Sequence, residues 1–336
     1  ATRMWVEAMS PPAGPVHLNL RFDEPLMPTH QVTSAADGVP DIEIGRSEPD
    51  ESSVTSLAAD LSGRRGVVIA GTDSEPGLAE AAAAFAAAVD WPILADPLSG
   101  LRTGPHDRSR VLAASDALAW AGYLDVAQPG AVVRFGGLPT SKPVWQWLGN
   151  HREVLQVFIE PAGWRDPTFS ASVVLRSEVV ATLELLAKAV GAAADGSWIT
   201  AWREADRAAA AAVTDVIENS PFPNEPMVAR IVSAATPDPG VLWVASSMPV
   251  RDLDAVMPLS ERRTRVLANR GANGIDGFVS TVLGSAAVSG TATVALAGDL
   301  SVRHDVGALA TAARLSVPVT IVTINTAFIT LTPDHA

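Results

Sequence analysis

The sequence predicts an α/β protein with two doubly wound parallel-sheet domains. Short apolar strands alternate with helical segments in two blocks, one before and one after a long polar helix. Strands that are apolar along their whole length are typical of parallel sheets covered by helices on both faces. A chain of 336 residues has room for two such domains, and its 48% hydrophobic residues can fill their cores.

The composition excludes several classes of function. The formal charge of −13 argues against nucleic acid as a partner, because phosphate binding needs a basic surface. The absence of cysteine excludes disulfides, thiolate nucleophiles and cysteine-ligated metals. The six histidines show no metal-ligand spacing, which argues against zinc catalysis. No targeting segment and no run of 18 apolar residues is visible, so we expect a cytoplasmic, non-membrane protein.

The segment before the first block predicts a domain end and a linker. Residues 1–28 combine a helix-like stretch, the breaker cluster 11–15 and a strand at Val16–Leu20. Residues 29–62 lose this periodicity and gain Pro, Gly, Ser and acidic residues, which predicts a connecting segment.

The first block, residues 63–192, predicts a central Rossmann-like domain. Its first strand ends at Gly71, but no G-x-G-x-x-G motif follows, which indicates a nucleotide-type sheet without a bound dinucleotide. Arg102 and Arg108 are candidates for binding an effector there. The predicted strands are Gly66–Ala70, Trp91–Ala95, Ala131–Phe135 and Val154–Ile159, and the predicted helices are Leu78–Val89, Arg108–Leu118 and Lys142–Leu148.

The second block, residues 193–336, predicts another α/β domain. A polar helix at Trp198–Glu218 and a helix after Pro226 lead into it. The predicted strands are Val241–Ala245, Arg265–Ala268, Thr293–Ala297 and Val317–Ile324, and the predicted helices are Val250–Val256, Ile275–Ala287 and His304–Leu315.

Three loops of the second block carry the residues with a chemical pattern. They are 246–252 (SSMPVRD), 269–277 (NRGANGIDG) and 298–301 (GDLS), and each follows a predicted strand. Because ligands bind at the carboxyl ends of strands in an open parallel sheet, we expect these loops to form one site. Small residues before a helix also expose backbone N–H donors to a phosphate or carboxylate.

Charged side chains in these loops indicate what the site binds. Asp299 suits Mg²⁺, which proteins hold with one or two carboxylates, phosphate oxygens and water. Arg251 and Arg270 each offer the paired N–H donors that clamp a carboxylate. The pattern predicts an anionic cofactor, a hard cation and acidic substrates. Each loop also has an ordinary explanation, because Ser247 is typical of a helix N-cap and Gly-Asp of a turn.

The same loops resemble the thiamine-diphosphate-dependent enzymes. Residues 298–301, followed by Asn325 after the next strand, are similar to the diphosphate–magnesium motif of those enzymes. The 246–252 and 269–277 loops resemble the substrate loops of the 2-succinyl-5-enolpyruvyl-6-hydroxy-3-cyclohexene-1-carboxylate synthases of menaquinone biosynthesis, the MenD family. Segments 13–26, 95–102 and 134–143 resemble the same family, so the resemblance extends over nearly the whole chain.

The resemblance implies a transferase reaction, namely decarboxylation of 2-oxoglutarate on thiamine diphosphate and addition of the succinyl carbanion equivalent to isochorismate. It implies that Asp299 is a Mg²⁺ ligand and that Ile275 bends the cofactor into its reactive V shape. Arg251 and Arg270 would bind substrate carboxylates beside Ser247, and Lys142 would reach the site from the central domain. The other implied cofactor-binding residues are Ser246, Gly298, Leu300, Ser301 and Asn325. Family members are homodimers or homotetramers, so we expect a homo-oligomer.

The sequence departs from this family at both ends. Residues 1–28 resemble only the end of its pyrimidine-binding domain, and the glutamate of that domain that activates the cofactor has no match here. After Asn325 the family pattern calls for a second asparagine and several glycines, whereas this chain continues with Thr326. We expect a gap in the sequence at this point, an incomplete diphosphate-binding domain, and no activity from the chain alone.

Two alternatives stay open. One is a different thiamine-diphosphate enzyme, acetolactate-synthase-like, with a flavin on the central domain; the 246–252 and 269–277 loops count against it. The other is a non-catalytic binding module of the same ancestry, which the missing glutamate-bearing domain keeps open.

Overall fold

The computed structural model describes residues 2–11, 13–24, 26–27, 41–191, 196–315 and 317–325. Within them the chain forms two parallel sheets flanked by helices. The predicted fold class is therefore confirmed, and the domain boundaries within the chain stay a prediction.

The first sheet has six strands, all parallel, in the order β3-β2-β1-β4-β5-β6. The strands are β1 (Gly66–Ala70), β2 (Ile93–Ala95), β3 (Val111–Leu112), β4 (Ala131–Phe135), β5 (Leu155–Ile159) and β6 (Val173–Leu175). The helices of this half of the chain are α1 (Thr2–Met9), α2 (Glu51–Leu61), α3 (Leu78–Val89), α4 (Ser115–Trp120), α5 (Tyr123–Ala127), α6 (Lys142–Asn150) and α7 (Val179–Ala189).

The second sheet has four parallel strands in the order β10-β9-β7-β8. They are β7 (Gly240–Val244), β8 (Thr264–Leu267), β9 (Thr293–Gly298) and β10 (Val319–Ile324). The helices of this half are α8 (Ser197–Asn219), α9 (Glu225–Ala235), α10 (Met248–Val256), α11 (Phe278–Ser289), α12 (Asp299–His304) and α13 (Ala308–Ala312).

Side chains alternate between the two faces of the first sheet, as strand geometry requires. Val68 of β1 packs in one buried cluster with Leu57 of α2 and Phe85 of α3. Val67, its neighbour on β1, packs in a second cluster on the other face with Trp202 of α8. Both faces are therefore covered, which explains why β1 is apolar at every position.

The two halves of the chain are joined by a buried polar contact, which we call the interdomain clamp (Arg102, Thr103, Asp254 and Thr264). Arg102 is 1% exposed, and its Nη1 donates to the backbone oxygen of Asp254 at 2.8 Å. Its Nη2 lies 2.5 Å from Oδ1 of Asp254. Thr103 Oγ1 donates to the backbone oxygen of Thr264 at 2.7 Å. The clamp fixes α10, a helix of the second half, against the loop that follows β2.

The clamp also corrects the expectation that Arg102 or Arg108 binds an effector. Arg102 is buried with its donors used by Ala95 and Asp254. Arg108 donates to the backbone oxygens of Gly104 and His106 and lies 3.7 Å from Glu261. Both side chains therefore act within the chain.

Residues 1–62 differ from the sequence prediction in two places. The predicted strand Val16–Leu20 is wrong, because these residues are exposed coil and pair with no strand among the described residues. The predicted connecting segment 29–62 is wrong over its last part, where α2 forms. Asp50 caps α2 by accepting from the backbone N–H of Ser52 at 3.0 Å. Residues 29–40 lie outside the described part of the chain.

Three predicted helices also differ in the structure. The helix predicted at Arg108–Leu118 is replaced by β3 and then α4. In the turn before β3, Asp107 accepts from the N–H of Ser109 at 2.8 Å. The helix predicted at Ile275–Ala287 begins only after Gly277, whose φ of 61° is left-handed. The helix predicted at His304–Leu315 is shortened to α13, because His304 is already the last residue of α12. Asp305 follows α12, and its carboxylate accepts from the N–H of Ser280 on α11. Across the described ranges, no helix is long and apolar enough to cross a membrane.

Candidate functional site

The strand order of the second sheet defines where a ligand can bind. From β7 the chain moves to β8 on one side, and from β9 it moves to β10 on the other side. The loops that leave β7 and β9 therefore diverge, and such a switch point leaves a crevice at the carboxyl end of a parallel sheet. These are the loops that begin at Ser246 and at Asp299, two of the three that the sequence singled out.

A cavity of about 320 Å³ lies at this switch point. Six of the predicted site residues line it: Ser247, Ile275, Gly298, Asp299, Leu300 and Ser301. The rest of its lining comes from Glu225, Met248, Pro249, Asp252 and Ile324. The structure therefore brings all three predicted loops to one cavity, which is largely apolar and has carboxyl groups in its wall.

Asp299 has a carboxylate available for a cation. It makes no hydrogen bond or ion pair with any other residue that the structure describes. The register of β9 with β10 pairs Gly298 with Ile324, so Asp299 and Asn325 leave the sheet from neighbouring positions. Asn325 is exposed and does not line the cavity, and Thr326, the next position of the motif, lies outside the described residues.

These residues fit a magnesium diphosphate better than a metal held by protein alone. Within the described ranges, no group of three or more His, Asp or Glu residues is arranged to hold a metal ion. Mg²⁺ is commonly bound by one or two protein oxygens together with phosphate oxygens and water. One free carboxylate beside an exposed asparagine is the donor set that such a site requires.

The 269–277 loop is in direct contact with the loop that follows β7. Ser246 Oγ donates to the backbone oxygen of Asn269. Gly274 lies against this contact, since a Cβ built on it would be 2.7 Å from Ser246 Cβ and 2.8 Å from Asn269 O. Only glycine fits such a contact without moving a loop.

A second set of contacts braces the same loop against α12. Asp276 Oδ1 lies 3.1 Å from Nδ1 of His304, and Asp276 Oδ2 accepts from Asn273 Nδ2 at 3.0 Å. His304 ends α12, and Asp305 binds α11 as described above. This pair therefore fixes the position of the loop that carries Ile275 to the cavity.

The predicted cationic residues do not line the cavity. Arg251 is exposed and turns back on its own loop, with Nη1 donating to the backbone oxygen of Ser247 at 2.6 Å. Arg270 is exposed and has no ion-pair partner among the described residues. Lys142 is exposed at the first position of α6 on the central domain. The substrate roles of these three residues stay a prediction.

Two acidic residues of the cavity had no predicted role. Asp252, on α10, is 7% exposed, and its Oδ2 is buried without a hydrogen-bond partner in the described structure. Glu225 is the first residue of α9. Burial and, to a smaller extent, the charge of Glu225 raise the pKa of Asp252 to about 7, although Arg251 opposes the shift. The sequence places Asp252 in the SSMPVRD loop, but burial was the signal that distinguishes it.

The switch point of the first sheet, by contrast, is filled by backbone. Gly71 N donates to Phe135 O at 2.9 Å, and Gly137 N donates to Thr72 O at 2.9 Å. A Cβ built on Gly71 would lie 1.7 Å from Gly137 O. The loops that leave β1 and β4 therefore close the crevice in which a Rossmann sheet binds its dinucleotide.

A larger cavity, about 530 Å³, lies between the two sheets. Its wall includes residues 73–80 of the central domain and residues 263–267 of the second half. It contains none of the predicted site residues, so the cavity at the second switch point is the candidate functional site.

The chain is similar to a known protein family and to several known proteins. Residues 45–244 match a family model described as the middle domain of thiamine pyrophosphate. The chain is 38% identical to a 2-succinyl-5-enolpyruvyl-6-hydroxy-3-cyclohexene-1-carboxylate synthase of Geobacillus thermodenitrificans, over 97% of this chain and 56% of that protein. Synthases of the same name from Haloquadratum walsbyi and Myxococcus xanthus are 35% and 38% identical, over 60% and 57% of their length. The chain thus spans just over half the length of these relatives.

A solved structure has a similar fold. A protein from Mycobacterium smegmatis, described as a thiamin diphosphate-dependent enzyme, aligns with 99% of this chain and 63% of its own at a TM-score of 0.63. Its sequence identity is 18%, so this likeness concerns the fold alone. The family match and the relatives confirm the resemblance found in the sequence: the chain belongs to the thiamine-pyrophosphate enzyme family, with MenD-type synthases among its relatives.

Proposed function

We propose that this chain forms the central and diphosphate-binding parts of a synthase of menaquinone biosynthesis. The reaction is the decarboxylation of 2-oxoglutarate and the transfer of its succinyl unit to isochorismate. The observation that carries the proposal is the cavity at the second switch point, where Asp299 and Ile275 meet at the end of the sheet. The names of the relatives support a synthase of this kind, and the substrates are those that the resemblance of the sequence implies.

The cofactor of the proposed reaction is thiamine diphosphate with Mg²⁺. When bound, it supplies an electron sink for the charge released on decarboxylation. Asp299 would hold the cation, with Asn325 leaving the sheet beside it. Gly298, Leu300 and Ser301 would line the diphosphate, and Ser246 and Ser247 would belong to the same binding loops. Ile275 would support the cofactor from the apolar side of the cavity.

Substrate binding is assigned to Arg251, Arg270 and Lys142, although none of them lines the cavity. Arg270 has no competing ion pair within the described ranges, so its fork of donors is available for a carboxylate. Arg251 uses Nη1 within its own loop and keeps its other donors for a second carboxylate. Lys142 would complete the charge balance from the central domain. Both proposed substrates are acids, and the positive charges of these three side chains would complement their carboxylates.

Two further parts of the proposal lie beyond this chain. In the proposed enzyme the glutamate that activates the cofactor comes from a pyrimidine-binding domain, to which residues 1–28 are similar only at its end. The complete protein would be a homodimer or homotetramer. The chain alone would therefore bind thiamine diphosphate less tightly than the complete protein, and it would be inactive.

Calorimetric titration of the complete protein with thiamine diphosphate in the presence of Mg²⁺ tests the proposal. We expect saturable binding that requires Mg²⁺, and we expect Asp299→Ala to abolish it, because the carboxylate ligand is lost. Glu218→Gln, which removes an exposed acid on α8 that faces Arg230, is the matched control and should bind normally. If wild-type protein does not bind the cofactor, the proposal is wrong; a tightly bound flavin would favour the acetolactate-synthase-like alternative.

A further inference from the structure

One buried carboxyl group in the cavity wall has no partner and no role in the reaction as described so far. Asp252 is 93% buried on the wall that α10 contributes, and its Oδ2 makes no hydrogen bond with any described residue. The large majority of buried side-chain polar atoms have a hydrogen-bond partner. An orphaned buried oxygen on a cavity wall therefore indicates that a ligand in the cavity supplies the partner.

The charges around Asp252 decide the form of this contact. Glu225 on α9 and Asp299 on α12 also line the cavity, while Arg251 on α10 is the cation that acts on Asp252. Because Arg251 is directed to the carbonyl of Ser247, no ion pair within the described part of the chain compensates a charge on Asp252. Burial raises the pKa of Asp252 to about 7, so a large fraction of this carboxyl is neutral near pH 7. A neutral carboxyl carries an O–H donor, which an ionised one lacks.

We propose that Asp252 contacts the bound cofactor as a hydrogen-bond donor. An ionised Asp252 would be a third negative charge facing an anionic diphosphate compound, whereas the protonated group offers a donor and no repulsion. This inference rests on the proposed function, because it takes thiamine diphosphate to be the ligand of the cavity. Asp252 is thereby a binding and positioning residue of the site.

Two substitutions of Asp252 distinguish the effect of a hydrogen-bond donor from the effect of a negative charge. Asp252→Asn has nearly the same shape and donates at every pH, whereas Asp252→Leu has similar bulk and cannot donate. With thiamine diphosphate and Mg²⁺ at about pH 6, we expect the Asn variant to bind as wild type and the Leu variant to bind about tenfold more weakly. Circular dichroism melts establish whether both variants fold. If the Leu variant does not fold, the Asn variant alone still provides the pH test.

The pH profile of binding gives a second readout that does not depend on activity. A donor with a pKa near 7 is lost as pH rises, so wild-type affinity should fall about tenfold between about pH 6 and pH 8 relative to the Asn variant. Titration of the cofactor itself is the same in both proteins and cancels. Calorimetry in buffers of different ionisation enthalpy should show proton uptake on binding at pH 8 in wild type beyond that of Asp252→Asn. Glu225→Gln, which removes a nearby negative charge, should move the wild-type midpoint to lower pH.

The outcomes distinguish this inference from the function on which it rests. Absence of cofactor binding by wild type overturns both. Binding by wild type that Asp252→Leu leaves unchanged overturns the inference alone. A wild-type affinity that rises with pH, with proton release, also overturns it, because an ionised Asp252 would then be contacting the cation.

Discussion

At the scale of single residues, Gly274 shows how closely the site loops approach each other. A methyl group at this position meets Ser246 Cβ and a backbone oxygen at less than 3 Å, and neither can move without its loop. We predict that Gly274→Ala separates the two loops, which costs about 1–3 kcal/mol as in other overpacked sites. The melting temperature should fall by roughly 2–4 °C per kcal/mol, and cofactor affinity should fall with it. Circular dichroism melts and calorimetry of the complete protein measure both effects.

Gly284 provides the matched control for this change. It lies inside α11, and a Cβ built there meets nothing within 4 Å. Gly284→Ala should therefore raise stability by up to about 1 kcal/mol, since alanine favours a helix interior over glycine. If Gly274→Ala melted like Gly284→Ala, the close approach of the two loops would be refuted.

The residues of the cavity divide into those that sequence can predict and those that it cannot. Gly298 and Asp299 stand at the end of a strand in a recognisable order, so their place at the sheet edge follows from the sequence. Asp252 stands one position after Arg251, yet one is buried in the wall and the other is exposed. Helix phase and tertiary packing decide this difference, and neither is visible in a loop motif.

At the scale of elements, α2 shows a helix hidden in a polar segment. Val54, Leu57, Ala58 and Leu61 are buried in the core cluster of the first sheet, while the other positions of α2 are exposed. We predict that Leu57→Ala destabilises the protein by about 2–5 kcal/mol, the usual range for a buried leucine. Ser56→Ala, at an exposed position of the same helix, should change stability by less than about 0.5 kcal/mol. Urea unfolding followed by circular dichroism measures both; equal midpoints would mean that α2 does not pack on the core.

The elements that the sequence does not predict were missed for physical reasons that their residues show. β3 and β6 have only two and three residues, too few to show a hydrophobic period. The apolar stripe of α2 lies among Ser and Asp residues that otherwise indicate a linker. Val16–Leu20 has the alternation of a strand, but a strand needs a partner, and sequence pattern alone does not supply one. The sequence predicts the longer strands β1, β4 and β7 to within a residue or two, because every position in them except Arg134 of β4 is apolar or small.

At the scale of the whole molecule, the interdomain clamp joins the half of the chain that contains the candidate site to the central domain. Arg102 is the buried cation that balances Asp254, with Asp96 and Asp116 nearby. Burial raises the pKa of Asp254 to about 8, Arg102 opposes the shift, and Asp96 and Asp116 add to it. The unfolded Asp254 has an ordinary pKa near 3.8, so the folded state holds its proton to higher pH. Stability from this group is therefore fully present below that ordinary value and is lost as pH rises towards 8.

Replacing Arg102 should make the loss of stability at high pH larger. Arg102→Met leaves Asp254 buried without its partner, which typically costs about 3–5 kcal/mol. Because Asp254 can avoid a buried charge only by holding its proton, the cost should be larger at about pH 8 than at about pH 5. The double variant Arg102→Met/Asp254→Leu removes both charges, so it should recover much of the stability and lose the pH dependence. The single variant Asp254→Leu completes the double-mutant cycle. Urea unfolding of the four proteins at the two pH values gives the complete cycle. If Arg102→Met lost the same stability at both pH values and the double variant recovered none of it, Asp254 would not be the group that Arg102 balances.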